Sequence, residues 1–135
     1  MGARMTEPDA ITIRQMCDAY GVTPRALRFY EQKELLFPQR LGTRRLYGKR
    51  DRARLQLILR GKRFGFSLED IRQLLDMYNP EGSNEAQLLR TYDVAAARLA
   101  QMEAQRAELD TAIAELRDQM AQGADLLTRF RRAAE

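Results

Sequence analysis

Ten residues in the second half of the chain recur in strict steps of four and three: Leu88, Tyr92, Ala95, Leu99, Met102, Arg106, Leu109, Ile113, Leu116 and Met120. On a helix this spacing draws one narrow, mostly apolar stripe. A lone helix would leave that stripe in water, so the pattern demands a partner. A helix over residues 84–122 would be about 60 Å long and would pair as a coiled coil. Arg106 is the one charged rung. It snorkels, fixes register at some cost in stability, or marks a place where the seam opens. Upstream, Asn79-Pro80-Glu81-Gly82-Ser83 is turn-rich and makes residues 78–83 a linker. Downstream of Gly123, residues 123–135 predict a short helix or tail, with Leu126, Leu127 and Phe130 packing on a neighbour. Its end is basic (Arg129, Arg131, Arg132) and reads as a solvated turn.

The first half carries a different pattern. Thr12 and Gln15 have capping-box spacing, and Ile13, Met16, Cys17 and Tyr20 then share one helical face. Gly21 suits the left-handed turn that ends this helix. Thr23 caps the next, and Pro24 stands at its first position, where a missing N–H costs nothing. Ala26 and Leu27, with Tyr30 or Phe29, supply the buried side. Arg25 and Arg28 lie three apart on the face left over. Two short helices joined this tightly make a helix-turn-helix, whose second helix enters the major groove of DNA. An ordinary helical hairpin with solvated arginines has the same spacing.

Charge separates the two readings. Residues 1–77 hold 16 Lys/Arg against 9 Asp/Glu, whereas residues 78–135 hold 7 against 10. Residues 40–63 contain ten basic side chains and one acidic one, Asp51. Solvated faces mix signs; a block of one sign beside a helix-turn-helix is a phosphate footprint. Within it, Gly42-Thr43 can turn a hairpin that projects Arg44 and Arg45 as a wing beside Arg40. Tyr47 either offers its hydroxyl to a phosphate or packs its ring beneath the wing. Asp51 can start a third helix with Leu55, Ile58 and Leu59 inward and Lys62 and Arg63 at its end, before Gly65. Ser67 and Asp70 form an acidic capping box for a fourth, whose inner face is Ile71, Leu74 and Leu75. Phe64 and Phe66 are expected in the core.

The run Thr23-Pro24-Arg25-Ala26-Leu27-Arg28-Phe29-Tyr30-Glu31, followed by Leu35-Leu36 and Pro38, resembles the recognition helix of the MerR family of bacterial transcription regulators. Arg45-Leu46-Tyr47 is similar to the end of that family's wing motif. Gly65-Phe66-Ser67-Leu68-Glu69-Asp70-Ile71 matches its second helix pair. Arg44 departs from the pattern, which usually has a tyrosine there, and the wing is about a residue shorter than in many members. The resemblance covers about residues 11–77. It implies a mainly α fold: a winged helix-turn-helix followed by a long, antiparallel coiled-coil dimerisation helix. It also implies a homodimer on an inverted-repeat operator in double-stranded DNA, distorting promoter DNA and so acting indirectly on RNA polymerase. The DNA-facing residues would be Thr12, Thr23, Arg25, Arg28, Tyr30, Arg40, Arg44, Arg45, Tyr47, Lys62 and Arg63.

One Cys and no His leave no donor set for a soft metal or an iron–sulfur cluster, so no metal or cofactor is expected. Cys17 reads as a small buried apolar residue. The run Arg60-Gly61-Lys62-Arg63-Phe64-Gly65-Phe66-Ser67-Leu68, with Leu75-Asp76-Met77-Tyr78, also resembles regulators of leucine/isovalerate and acyl-CoA catabolism. This implies a small organic or acyl-CoA-type effector. No apolar run approaches a membrane span and the first ten residues lack a signal core, as in a cytoplasmic, nucleoid-associated bacterial protein. No catalytic constellation is present. An architectural DNA-bending or excisionase-like protein, and a coiled-coil protein with a basic domain for acidic partners, remain as alternatives.

Overall fold

The computed structural model describes residues 9–77 and 82–135. Its elements run β1 (Ile11–Thr12), α1 (Ile13–Tyr20), α2 (Pro24–Gln32), β2 (Gln39–Leu41), β3 (Arg44–Tyr47), α3 (Lys49–Phe64), α4 (Leu68–Asp76) and α5 (Glu85–Ala134). They form two compact units, one ending at Val94 and the other beginning at Ala95. Residues 78–81 of the expected linker lie outside the described residues; Ser83 accepts the Glu85 N–H at the start of α5.

Local chemistry sets the helix ends. Thr12 and Gln15 exchange both capping-box bonds, Thr23 accepts the Ala26 N–H, and Ser67 accepts the Asp70 N–H. Gly21 (φ 65°) and Gly65 (φ 81°) close α1 and α3 in the left-handed conformation. α3 begins at Lys49 behind an N-cap Gly48, two residues before the expected Asp51. Asp51 instead lies buried in its first turn and accepts the Phe37 N–H at 3.0 Å.

The end of α2 was not legible as a stop. Glu34 adopts φ 60° while Leu35 N–H reaches back to Tyr30 O and Glu34 N–H to Glu31 O. This is a Schellman pattern with glutamate where glycine usually stands. It throws Leu35 and Leu36 into the core, both fully buried.

β2 and β3 form the expected hairpin, with Gly42 (φ 63°) at the first of its two loop positions, as a type II′ turn requires. An unexpected third strand joins it: β1 pairs antiparallel with β3, Ile11 opposite Tyr47, giving the order β1-β3-β2. The core gathers Met16, Leu27, Tyr30, Leu35, Leu36, Tyr47, Leu55, Ile58, Ile71 and Leu75. Gly61 is buried where α3 meets α4; a Cβ there would stand 2.9 Å from Ile71 Cγ1. Phe66 packs against the core, but Phe64 does not join it and is 43% exposed, its ring tilted over Phe66 at 6.0 Å. Cys17 is only partly buried; burial and then the Asp18 charge push its thiol up. A raised thiol is a poor nucleophile.

α5 corrects the expected break at Gly123. The helix continues through that residue to Ala134. An internal glycine costs only about 1 kcal/mol of helix, too little to stop a helix flanked by Ala, Leu and Arg. The ladder therefore does not end at Met120: the four-and-three alternation runs on through Gly123, Leu127 and Phe130. Its large side chains are bare within one chain, among them Leu88, Tyr92, Leu109, Leu116, Met120 and Phe130.

Candidate nucleic-acid interface

α2 presents two sides. Leu27 and Tyr30 point into the core, and Arg25, Arg28 and Phe29 face out. Burial of Tyr30 (2% exposed) settles which aromatic ring packs inward and removes Tyr30 from the candidate DNA face. Phe29 meets Tyr30 edge-on at 5.8 Å, and Lys33 Nζ stands 5.6 Å from the Phe29 ring centre. Among the described residues, no ion pair engages Arg25 or Arg28.

The wing is tied to this helix by Glu31. Its carboxylate accepts from Arg45 Nε at 2.6 Å and from Arg40 at 3.1 Å. Arg44 and Arg45 therefore do different things. Side chains alternate along a strand: Arg45 and Tyr47 turn inward, while Arg44 stays exposed. Arg45, expected on phosphates, is mostly spent on Glu31; Arg40 keeps half its side-chain surface open. Burial by itself would raise the Glu31 carboxyl, but the hydrogen bonds and charges of Arg45 and Arg40 outweigh it and hold it below its ordinary value. A depressed folded pKa gives stability that is present above the unfolded carboxylate pKa and lost as pH falls through the folded one. Glu31→Gln is expected to lower stability at neutral pH by about 1 kcal/mol and to flatten the acid limb of the stability curve. Urea titrations across the acid range check both.

Tyr47 is fully buried and its hydroxyl has no hydrogen-bond partner. Burial pushes its pKa up to about 12. The ring packs beneath the wing, because β1 and β2 flank β3 and the inward face of that strand is core. The phosphate contact is not available to it. Tyr47→Phe is expected to leave DNA affinity unchanged and to hold or raise stability by up to about 1 kcal/mol, since an unpaired buried hydroxyl is removed; a thermal melt and a binding titration measure the two.

The remaining candidates lie around these elements. The Thr12 and Thr23 hydroxyls are used as helix-cap acceptors and retain a proton to donate. Lys62 Nζ sits 5.6 Å over the Tyr30 ring, and Arg63 is exposed at the end of α3.

Two arginines that spacing did not single out hold the frame. Arg54, 7% exposed, donates from Nε to Leu35 O at 2.7 Å and lies 5.1 Å over the Phe37 ring. Arg72 donates to Lys33 O at the end of α2. Both act on carbonyls distant in sequence, so no local motif announces them. Among the described residues, no helix is long and apolar enough to cross a membrane.

Comparison with known proteins agrees with this geometry. The family described as MerR HTH family regulatory protein matches residues 11–78, and the one described as MerR, DNA binding matches residues 52–119. A mercuric resistance operon regulatory protein of Pseudomonas fluorescens is 35% identical over 106 residues, covering 73% of this chain and 74% of that protein. The crystal structure of a MerR-family transcriptional regulator from Bacillus cereus superposes with TM-score 0.57 at 31% identity, over 75% of each chain. HiNmlR, a MerR-family regulator lacking the sensor domain and bound to promoter DNA, shares the fold (TM-score 0.58, 22% identity, 75% of this chain and 79% of that one). The chain is a DNA-binding transcription regulator rather than an enzyme, and it belongs to the MerR family.

Proposed function

We propose that the protein works as a homodimer on an inverted-repeat operator and distorts the promoter DNA between the half-sites, acting on RNA polymerase through the DNA. The observation that carries this is the pairing of an outward arginine face on α2 with a long apolar ladder on α5 that its own chain leaves bare. Arg25 reads bases. Arg28, Arg40, Arg44, Lys62 and Arg63, with the Thr12 and Thr23 hydroxyls, hold phosphates. The ladder from Leu88 to Met120 joins the two copies, so operator symmetry follows protein symmetry.

The effector in this reading is a small organic or acyl-CoA-type metabolite. One Cys and no His give soft metals few donors, although the Pseudomonas relative is named for mercuric resistance. An open groove of about 670 Å³ between α3 and the start of α5 offers Leu57 and Leu88 as apolar walls and Arg60 as a cation for an acid group. Footprinting on the protein's own promoter, with and without branched-chain acyl-CoA compounds and with divalent metal ions alone, tests the proposal. A symmetric footprint whose affinity shifts with the acyl compounds supports it. Equal binding to scrambled DNA overturns the operator reading, and a response to metal ions alone overturns the organic effector.

A further inference from the structure

Phe29 sits on the wrong side of its helix for a core residue. It is 41% exposed, and α2 meets the core through Leu27 and Tyr30 instead. Its neighbours at helical spacing are Arg25, Arg28 and Gln32, all exposed. These four positions share one stripe, turned away from the core. A bare aromatic ring interrupts an otherwise polar face.

The ring is also held in place. The buried Tyr30 meets it edge-on, and the Lys33 ammonium lies 5.6 Å from its centre. A side chain fixed before binding loses little conformational freedom when a partner covers it.

We infer that Phe29 contacts the 5-methyl group of a thymine in the major groove, once in each half-site of the operator. The inference rests on α2 as the reading helix and adds to it a second base-reading residue of opposite chemistry to Arg25. Of the base edges in the major groove, only that of thymine carries a methyl group. The others present ring nitrogens, carbonyl oxygens and amino groups. A phenyl ring would cover those without offering a hydrogen bond, which costs free energy. Phe29 therefore favours thymine and penalises the alternatives at one position. A guanidinium does the reverse, since it suits the two acceptors of guanine. Phe29 stands four residues along α2 from Arg25, about 6 Å at 1.5 Å per residue. Base pairs rise by about 3.4 Å. The thymine thus lies about two base pairs from the base that Arg25 reads.

Titrations of the full-length protein on duplexes from its own promoter test this, with each thymine replaced in turn by deoxyuridine. That replacement removes the methyl group and nothing else. One thymine per half-site should lose about three- to fivefold in affinity, the worth of one buried methyl. Phe29→Ala and Phe29→Gln should bind the unmodified operator more weakly and lose that penalty, whereas Arg25→Ala should keep it. A merely structural role for Phe29 would leave a penalty set by the DNA methyl where it was. Indifference of the unmodified protein to every replacement overturns the inference. So does a full penalty in Phe29→Ala, which assigns the methyl to another side chain. Equal weakening of Phe29→Ala on operator and scrambled duplexes overturns it too, by placing the ring against sugar and phosphate. If the unmodified protein binds scrambled DNA as tightly as its operator, the operator reading itself fails and this inference falls with it.

Discussion

Arg25→Ala is expected to lower affinity for the cognate operator roughly ten- to a hundredfold and to flatten preference among half-site variants, the effect of losing about 1–3 kcal/mol of base discrimination. Arg25 sits in the first turn of α2, exposed and without an ion pair among the described residues, so its guanidinium is not already committed. The first turn of a recognition helix is the part that reaches base edges. Arg28, one turn further along the same face, is expected to behave differently. Arg28→Ala should weaken binding to all sequences alike and reduce the slope of log affinity against log salt by about one. Titrations of both variants on matched and scrambled operators at several salt concentrations separate the roles. Uniform weakening by Arg25→Ala would assign it to phosphates instead.

Arg54→Ala is expected to cost about 3 kcal/mol of stability, a large part of the roughly 5–15 kcal/mol that a domain has. Three losses add. The Leu35 carbonyl loses its donor, Phe37 loses the cation over its ring, and a cavity opens where a long side chain was 7% exposed. Burial, with the Arg50 charge beside it, already pulls the Arg54 guanidinium below its usual pKa, and one of its terminal nitrogens has no partner. Arg54 thus holds one place: the segment joining α2 to the wing. Arg54→Met fills most of the volume and should cost less, about 1–2 kcal/mol, leaving mainly the orphaned carbonyl. Chemical denaturation of the two variants measures the difference. Equal stabilities for Arg54→Ala and the unmodified chain would show that the Leu35 carbonyl finds another donor.

The same contrast, between what is local and what is distant, decides how much of the protein could be read in advance. Thr12, Thr23 and Ser67 were legible as caps because each closes a bond three residues away. Gly21, Gly42 and Gly65 were legible because a positive φ favours glycine. Glu34 was not, since nothing in its type marks a left-handed residue. Gly123 misled for the complementary reason: a glycine usually marks an end, and here the helix passes through it.

At the interface, the basic block and the arginine spacing on α2 were visible in the sequence. The division of labour among the arginines was not. Arg44 and Arg45 look equivalent as neighbours, but strand alternation turns one outward and the other onto Glu31. Tyr30 and Phe29 are likewise neighbours, and only the packing of α2 chose which ring is inside.

Sequence by itself determined the caps of α1, α2 and α4, the hairpin, the family and the apolar ladder on α5, because these follow from periods and from contacts a few residues apart. Tertiary structure alone decided that Tyr47 is core, that Arg45 braces the wing, and that Arg54 and Arg72 hold carbonyls 19 and 39 residues away. Those assignments depend on which charges and rings meet after the chain folds back on itself, and no spacing along the chain encodes that meeting.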